Sequence, residues 1–248
     1  MPIKHLTFFA LAVFLLVSCK KNSGSNSSGN ANKLKTYIET DQINGTIQSD
    51  TFSVSYDNDN RITGLVSPNL KEIYAYQSKS YTLDLYVNGA LSIHENFFIN
   101  GSSLVDSTLQ YDNTSDTTTE GYVYNGTILT TQFTYNYSNN VATIDTRDDY
   151  TYDNSGNAVK DVQSDGYGNV NFIYTYTYTT NPINARINPT YYPLQAKYLP
   201  ATLKLTDGFG NSQGSVTYTY VFDTSNRLTK ETDTDNIGNV STKTYIYD

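Results

Sequence analysis

The chain has 248 residues, of which 38% are hydrophobic and 16% are charged, and its formal net charge is -8 at pH 7. An acidic chain without a basic cluster repels nucleic acid, so the composition excludes nucleic acid as a partner. Cys19 is the only cysteine, which excludes a disulfide framework and a thiolate metal site.

The N-terminus has the pattern of an exported, lipid-anchored protein. Lys4 and His5 precede the apolar run Leu6–Val17, which is too short to span a bilayer comfortably. The run ends in Leu-Val-Ser-Cys19, which resembles a bacterial lipobox and implies cleavage before Cys19 and lipidation of its thiol. We therefore predict a signal peptide over residues 1–18 and a lipid anchor at Cys19. The alternative is a plain secretory signal or an uncleaved anchor.

Residues 19–34 follow as a tether rich in Gly, Ser and Asn, which lacks the apolar side chains needed to pack. Lys20 stands where an aspartate would signal retention in the inner membrane, so the sequence favours the outer membrane. We predict an outer-membrane lipoprotein of the cell envelope and leave open whether it faces the periplasm or the cell surface. Residues 35–248 are predicted to form a single β domain.

Turn signals recur through that domain. Asn-Gly pairs, which supply the two positive-φ residues of a type I′ turn, start at Asn44, Asn88, Asn100 and Asn125. Asp-x-x-Gly-Asn occurs from Asp153, Asp165, Asp207 and Asp235, and related motifs ending in Arg start at Asp57 and Asp223. These motifs predict a type I turn whose Asp caps its own backbone and whose Gly or Asn takes the left-handed position of a G1 bulge.

Between the turns, aromatic and β-branched residues alternate with a period of two, as in residues 172–180 and 216–222. The pattern predicts an all-β fold of roughly a dozen strands in one long antiparallel meander. Since twist accumulates and open edges invite aggregation, the meander is expected to form a strongly curved sheet or a partly closed barrel. The proline-rich segment Asn181–Pro200 is expected to be a long irregular connection, either a cover over one end of the sheet or a binding lid.

Two motifs carry a resemblance to known families. Tyr150-Thr-Tyr-Asp-Asn-Ser-Gly-Asn and Tyr220-Val-Phe-Asp-Thr-Ser-Asn-Arg are similar to the YD repeats of bacterial Rhs and teneurin-type proteins. More broadly, residues from about 35 onward resemble a group of Bacteroidota lipoproteins of unknown function with a porin-like β domain, and the Pro-containing motifs at Asn181, Tyr191 and Lys197 carry that match. The resemblance implies an antiparallel β fold and no activity.

The alternation argues against a barrel embedded in lipid. A transmembrane barrel needs an outward apolar band with aromatic residues at its edges, whereas Tyr here runs through the strand centres opposite Thr. We therefore predict a soluble β domain tethered to the membrane.

Catalytic and metal-binding patterns are scarce, so we predict no enzyme, no catalytic residue, no metal and no cofactor. His94 alternates with Ile93 and is interpreted as a strand residue on the wetter face of the sheet. The five glutamates are scattered, and the Asp-rich turns lack a complete calcium-loop pattern.

Tyrosine offers the remaining candidate for ligand binding. A tyrosine-lined face can stack on sugar rings and hydrogen-bond to them, although Tyr is also a good strand residue on half-buried surfaces. The candidate ligand-binding residues are Tyr174, Tyr176, Tyr178, Tyr191 and Tyr192. The leading prediction is a non-catalytic binding or structural module whose ligand is polysaccharide. The alternatives are a periplasmic carrier of a lipid or other apolar ligand and an envelope protein scaffold.

Overall fold

The computed structural model describes residues 33–112, 117–138, 141–182 and 196–248. The predicted signal peptide, Cys19, most of the predicted tether, Tyr191 and Tyr192 therefore lie outside the described residues. Strands fill most of the described part, and no described helix is long and apolar enough to cross a membrane. The strands are β1 Leu34–Ile43, β2 Thr46–Tyr56, β3 Ile62–Val66, β4 Leu70–Tyr76, β5 Ser80–Val87, β6 Ala90–Ile99, β7 Val105–Asp112, β8 Thr117–Asn125, β9 Ile128–Ser138, β10 Val141–Tyr152, β11 Ala158–Asp165, β12 Val170–Pro182, β13 Tyr198–Asp207, β14 Ser212–Phe222, β15 Leu228–Asp235 and β16 Val240–Tyr247.

Each strand pairs antiparallel with its sequence neighbours, and β1 also pairs with β16, from Leu34 opposite Tyr247 to Gln42 opposite Val240. The meander therefore closes into a barrel, which removes both open edges. The all-β antiparallel prediction is confirmed. The sheet is closed rather than partly open, and it has more strands than the dozen expected.

Because consecutive strands reverse direction, the hairpin turns alternate between two ends of the barrel. At the terminal end, β1 begins and β16 ends, and the Asp248 N–H donates to the Lys33 carbonyl at 3.0 Å. The turns between β2 and β3, β4 and β5, and so on to β14 and β15 also lie at this end. The opposite end, which we call the far end, carries the turns from β1–β2 to β15–β16.

The Asp-initiated turns adopt the predicted conformation. In each turn, Asp Oδ1 accepts hydrogen bonds from the backbone N–H groups two and four residues later. Its Oδ2 accepts from the side chain of the Asn or Arg that ends the motif. The fourth residue has a φ between 59° and 91°. This is the left-handed position of the G1 bulge, so that prediction is confirmed.

The Asn-Gly predictions are only half right. Asn44-Gly45 and Asn88-Gly89 both have positive φ, as a type I′ turn requires. In the Asn125-Gly126 pair, only Gly126 has a positive φ. Gly126 occupies the first central position of the turn, as in a type II′ turn. The turn from Asn100 is instead an asparagine version of the Asp motif, in which Oδ1 accepts from the N–H groups two and four residues later and Ser103 takes the left-handed position.

The expected irregular connection Asn181–Pro200 is shorter than predicted. β12 extends to Pro182 and β13 begins at Tyr198, which pairs with Pro182. Pro182 is the last residue of β12 and Pro200 the third residue of β13, so both lie near strand ends, where a missing N–H is tolerated. Residues 183–195 lie outside the described part of the chain.

The larger buried hydrophobic cluster of the described interior includes Tyr81, Phe97, Val105, Leu129 and Leu228, all of which lie near the terminal end of their strands. A recurring hydrogen bond holds this region together. Near the end of most even-numbered strands, a tyrosine hydroxyl donates to a carbonyl at the start of the preceding strand. The pairs, at 2.6 to 2.9 Å, are Tyr56 to Leu34, Tyr76 to Ile62, Tyr124 to Val105, Tyr152 to Leu129, Tyr178 to Ala158, Tyr220 to Pro200 and Tyr247 to Leu228. Many of the tyrosines are therefore structural.

Candidate functional site

β12 carries three of the tyrosines that the sequence singles out for ligand binding. Tyr174, Tyr176 and Tyr178 alternate with Ile173, Thr175 and Thr177, and the register places their side chains on the inner face of the sheet. The structure separates them into two environments: Tyr176 and Tyr178 line a groove at the terminal end, whereas Tyr174 lies deeper, opposite Asp161.

The groove has a volume of about 530 Å³ and lies beside the end of β12. Its aromatic wall is formed by Tyr176, Tyr178 and Tyr198. Its polar wall comes from the β10–β11 turn, through Asp153, Ser155 and Asn157, and from threonines of β12. The groove therefore combines aromatic surface with hydrogen-bonding groups, which is the usual composition of a site for a polar small molecule.

Asn157 fixes the shape of the groove. Its side chain is only 2% exposed. Oδ1 accepts hydrogen bonds from the backbone N–H groups of Lys197 at 2.8 Å and Tyr198 at 3.1 Å, and Nδ2 donates to Asp153 Oδ2 at 2.9 Å. One amide thus joins the β10–β11 turn to the start of β13 and positions Tyr198.

The same turn keeps its carboxylate charged. The hydrogen bond from the Asn157 side chain and those from backbone N–H groups hold the pKa of Asp153 below its usual value. The lining of the groove therefore includes a charged carboxylate at neutral pH. The hydroxyl of Tyr178 is occupied by the Ala158 carbonyl at 2.6 Å, so this residue offers its ring rather than its hydroxyl.

A second group of polar side chains lies deeper in the barrel, around Asp161 on β11. Asp161 pairs with Tyr150 and Tyr174, is 8% exposed, and its Oδ1 has no hydrogen-bond partner. Burial, reinforced by the nearby Asp148 and Asp149 carboxylates, raises the pKa of Asp161 to about 8. Burial likewise raises the pKa of Asp148 to about 6, although this group accepts a hydrogen bond from Gln163 at 3.1 Å. At neutral pH Asp161 is therefore largely protonated.

The glutamates that look scattered in the sequence all face the barrel interior. Several are paired with a tyrosine two residues away on the same strand: Tyr74 donates to Glu72 at 2.8 Å, Tyr122 donates to Glu120, and Tyr37 is hydrogen-bonded to Glu39. Burial raises the pKa of Glu72 and Glu120, and it raises the pKa of Glu95 to about 8. Sequence reasoning missed this set. The signal was present, because Tyr-x-Glu or Glu-x-Tyr within a strand places both side chains on one face.

His94 lies on the outer face of β6, as the alternation predicts. Its Nδ1 lies 2.5 Å from Asp84 Oδ1 on β5, and the Tyr111 ring lies 6.2 Å away. The pair is half-buried on the barrel wall, and neither residue lines the groove. Among the described residues no group of three or more His, Cys, Asp or Glu is arranged to hold a metal ion.

Comparison with known proteins identifies the fold. No family model matches the chain, and no curated protein matches it at a significant level. A porin-like protein from Bacteroides uniformis ATCC 8492 is similar in structure, with a TM-score of 0.61 and 13% identity, over 87% of this chain and 96% of that one. A porin-like protein from Bacteroides vulgatus ATCC 8482 has a TM-score of 0.59 and 16% identity, over 87% of this chain and 99% of that one. At such identities the likeness shows the fold, a closed antiparallel barrel, and not the function.

Proposed function

We propose that the protein is an outer-membrane lipoprotein, anchored through Cys19, whose barrel is a non-catalytic carbohydrate-binding module. The observation that carries this proposal is the groove, whose lining combines the aromatic residues Tyr176, Tyr178 and Tyr198 with the polar residues Asp153, Ser155 and Asn157. Sugar rings stack on aromatic faces while their hydroxyls bind carboxylate, amide and hydroxyl groups. The groove is large enough for one or two sugar units.

The charge of the groove restricts the class of sugar that it can bind. Asp153 remains ionised, and the chain as a whole carries a net charge of -8. Acidic polysaccharides would be repelled, so neutral or amino sugars fit best.

Charged side chains on the outer surface of the barrel support the proposal that the domain is exposed to water. Lys71, Lys160, Lys204 and Lys230 are exposed on the outward face within their strands. A lysine that faces lipid costs about 2 to 4 kcal/mol at the bilayer midplane. Charges distributed around the wall favour a barrel held at the membrane by its tether over one embedded in the bilayer.

The interior supports carbohydrate binding over transport of an apolar ligand. A carrier needs a continuous apolar cavity, but the inward face includes Glu39, Glu72, Glu95, Glu120 and Asp161. An apolar ligand at this level would leave buried polar groups without partners, at a cost of about 1 to 3 kcal/mol for each group.

A glycan-binding experiment tests the proposal. Residues 20–248 would be titrated calorimetrically with neutral gluco-, manno- and xylo-oligosaccharides, and the best binder would be used to compare variants. Tyr198→Ala removes one of the three aromatic residues of the groove and should weaken binding at least tenfold. Tyr137→Ala removes an exposed tyrosine on the barrel wall at the other end and should leave binding unchanged.

The double variant Tyr191→Ala with Tyr192→Ala tests whether residues 183–195 contribute to the same site. Equal affinity for wild type and Tyr198→Ala, with both folded, would show that the groove is not the glycan site. Absence of binding to every oligosaccharide, together with a co-purified lipid in native mass spectra, would favour the carrier alternative.

A further inference from the structure

The two ends of the barrel differ at one structurally equivalent position. In the Asp-initiated turns, the third residue lies at the tip of the turn. At the far end this residue is Tyr167, Phe209 or Ile237, and these side chains are 94%, 94% and 75% exposed. At the terminal end the same position is occupied by Asp59, Ser155 and Ser225. Since the turns share one hydrogen-bond pattern, the backbone does not require the apolar residues.

Other hairpins at the far end repeat this feature. Exposed apolar side chains flank the β1–β2, β5–β6 and β9–β10 turns. Together with the three tip residues they form what we call the apolar rim, whose members are Ile43, Ile47, Leu91, Tyr137, Val141, Tyr167, Phe209 and Ile237. Exposed large apolar side chains at the tips of several loops indicate a binding surface, because solvent-exposed turns are ordinarily polar.

The charges of the rim limit what it can contact. Asp165, Asp207 and Asp235 open the turns that bear the tip residues, and their carboxylates accept hydrogen bonds within those turns. The turn segments 165–169, 207–211 and 235–239 contain no lysine or arginine. An anionic surface would therefore be repelled, and an uncharged or zwitterionic one would be accepted.

The arrangement of the rim favours a lipid surface over a protein. A protein interface needs a contiguous, densely packed core, whereas these side chains project singly from separate turns around a ring. A bilayer is laterally fluid and can accept spaced side chains, and tyrosine is enriched at the level of the headgroups.

The position of the anchor is compatible with this contact. The tether joins the barrel at Leu34, at the terminal end. Its residues 20–33 can extend roughly 50 Å, whereas β2, with 11 residues, spans about 36 Å. A barrel anchored at Cys19 can therefore turn its far end toward the membrane that holds the anchor.

We infer that the apolar rim at the far end docks onto the zwitterionic interface of a lipid bilayer, with Tyr167, Phe209 and Ile237 inserted at headgroup level. This inference rests on the proposed lipid anchoring only for the presence of a nearby membrane. The docking orients the barrel so that the groove at the terminal end faces away from the bilayer.

Vesicle binding by residues 20–248, which lack Cys19, tests the inference. Every observed strand pair lies within residues 34–247, so this part contains the whole closed barrel. The probe is a phosphatidylcholine vesicle, and co-flotation is measured over a range of lipid concentrations. We expect wild type to partition onto these vesicles, and to do so less when phosphatidylglycerol is added.

Two matched variants give the decisive comparison. Tyr167→Ser, Phe209→Ser and Ile237→Ser together should reduce partitioning on the order of tenfold or more. Serine already occupies this position in two terminal-end turns, so the fold should be retained. The control, Asp59→Ser with Ser225→Thr, changes the same turn position at the other end, outside the groove, and should bind like wild type.

Equal partitioning of wild type and rim variant, or no binding of wild type to phosphatidylcholine, would overturn the inference. A wild-type dimer that the rim variant dissociates in analytical ultracentrifugation, without vesicle binding, would identify a second copy as the occupant instead. Failure of the anchor itself is detected separately, by the absence of lipid labelling at Cys19 in the full chain.

Discussion

The buried carboxyl of Asp161 predicts a specific dependence of stability on pH. Its pKa is about 8 in the folded barrel, compared with about 3.9 for an aspartate in an unfolded chain. Between these values the folded state holds a proton that the unfolded state has lost. Stability therefore decreases as pH rises from about 4 to about 8, and no further contribution from this group is lost above that range.

Asp161→Asn removes the titration while keeping the size of the side chain. Between the two pKa values, one such group lowers the free energy of unfolding by about 1.4 kcal/mol for each pH unit, which amounts to about 4 kcal/mol between pH 5 and pH 8. For a domain of this size that corresponds to roughly 10 °C in Tm. The variant should therefore lose much less stability than wild type over this range. Glu95 retains its own raised pKa in both proteins, so part of the decrease remains in each.

Thermal unfolding of residues 20–248, followed by circular dichroism at half-unit steps from pH 5 to 9, measures the effect. Asp106→Asn, at an exposed position of β7, is the control and should follow the wild-type profile. If Asp161→Asn and wild type gave parallel profiles, or if wild type were more stable at pH 8 than at pH 6, Asp161 would not be buried in its protonated form.

Three further substitutions test the fold and the groove by chemical denaturation. Asn157→Ala should destabilise the barrel by about 3 kcal/mol, because it leaves the backbone N–H groups of Lys197 and Tyr198 without their acceptor. Asn211→Ala, at the same position of an exposed turn, deletes only a side-chain hydrogen bond to Asp207 and should cost under about 1 kcal/mol. Equal losses would contradict the role of Asn157. Tyr247→Phe deletes a 2.8 Å hydrogen bond to a β15 carbonyl and should cost about 1 kcal/mol without changing the far-ultraviolet spectrum; an unchanged stability would count against the recurring tyrosine contact. Gly208→Ala places a methyl group 2.0 Å from a carbonyl oxygen of β12. The resulting loss in the free energy of unfolding should be several-fold greater than that caused by Gly101→Ala, whose added methyl group meets nothing within 4 Å.

Local turns were predictable where the motif fits a single conformation. The Asp-x-x-Gly turns were predictable because the aspartate binds N–H groups only two and four residues away. The prediction for the Asn100 turn was wrong because Asn-Gly fits two conformations, and the hydrogen bond that the Leu104 N–H donates to Asn100 Oδ1 selects the second. The placement of Tyr174, Tyr176 and Tyr178 on one face followed from period-two alternation, whereas the closed barrel decided that this face is the inner one.

The candidate site was only partly predictable. Tyr176 and Tyr178 line the groove, whereas Tyr198 was not singled out and Tyr174 lies beside Asp161 instead. Tyr198 joins the groove through the contact of its N–H with Asn157, which is 41 residues away in sequence. No periodicity within a strand encodes a contact of that separation.

By itself, the sequence determined the hairpins, the alternation of their faces and the all-β class, since each depends on residues within one turn or strand. The tertiary structure alone decided that β1 meets β16, because closure depends on the twist summed over every strand. Closure in turn gave the chain an interior and two ends. It buried the glutamates and Asp161 and raised the pKa of several of them, and it collected the apolar tips of separate hairpins into one rim.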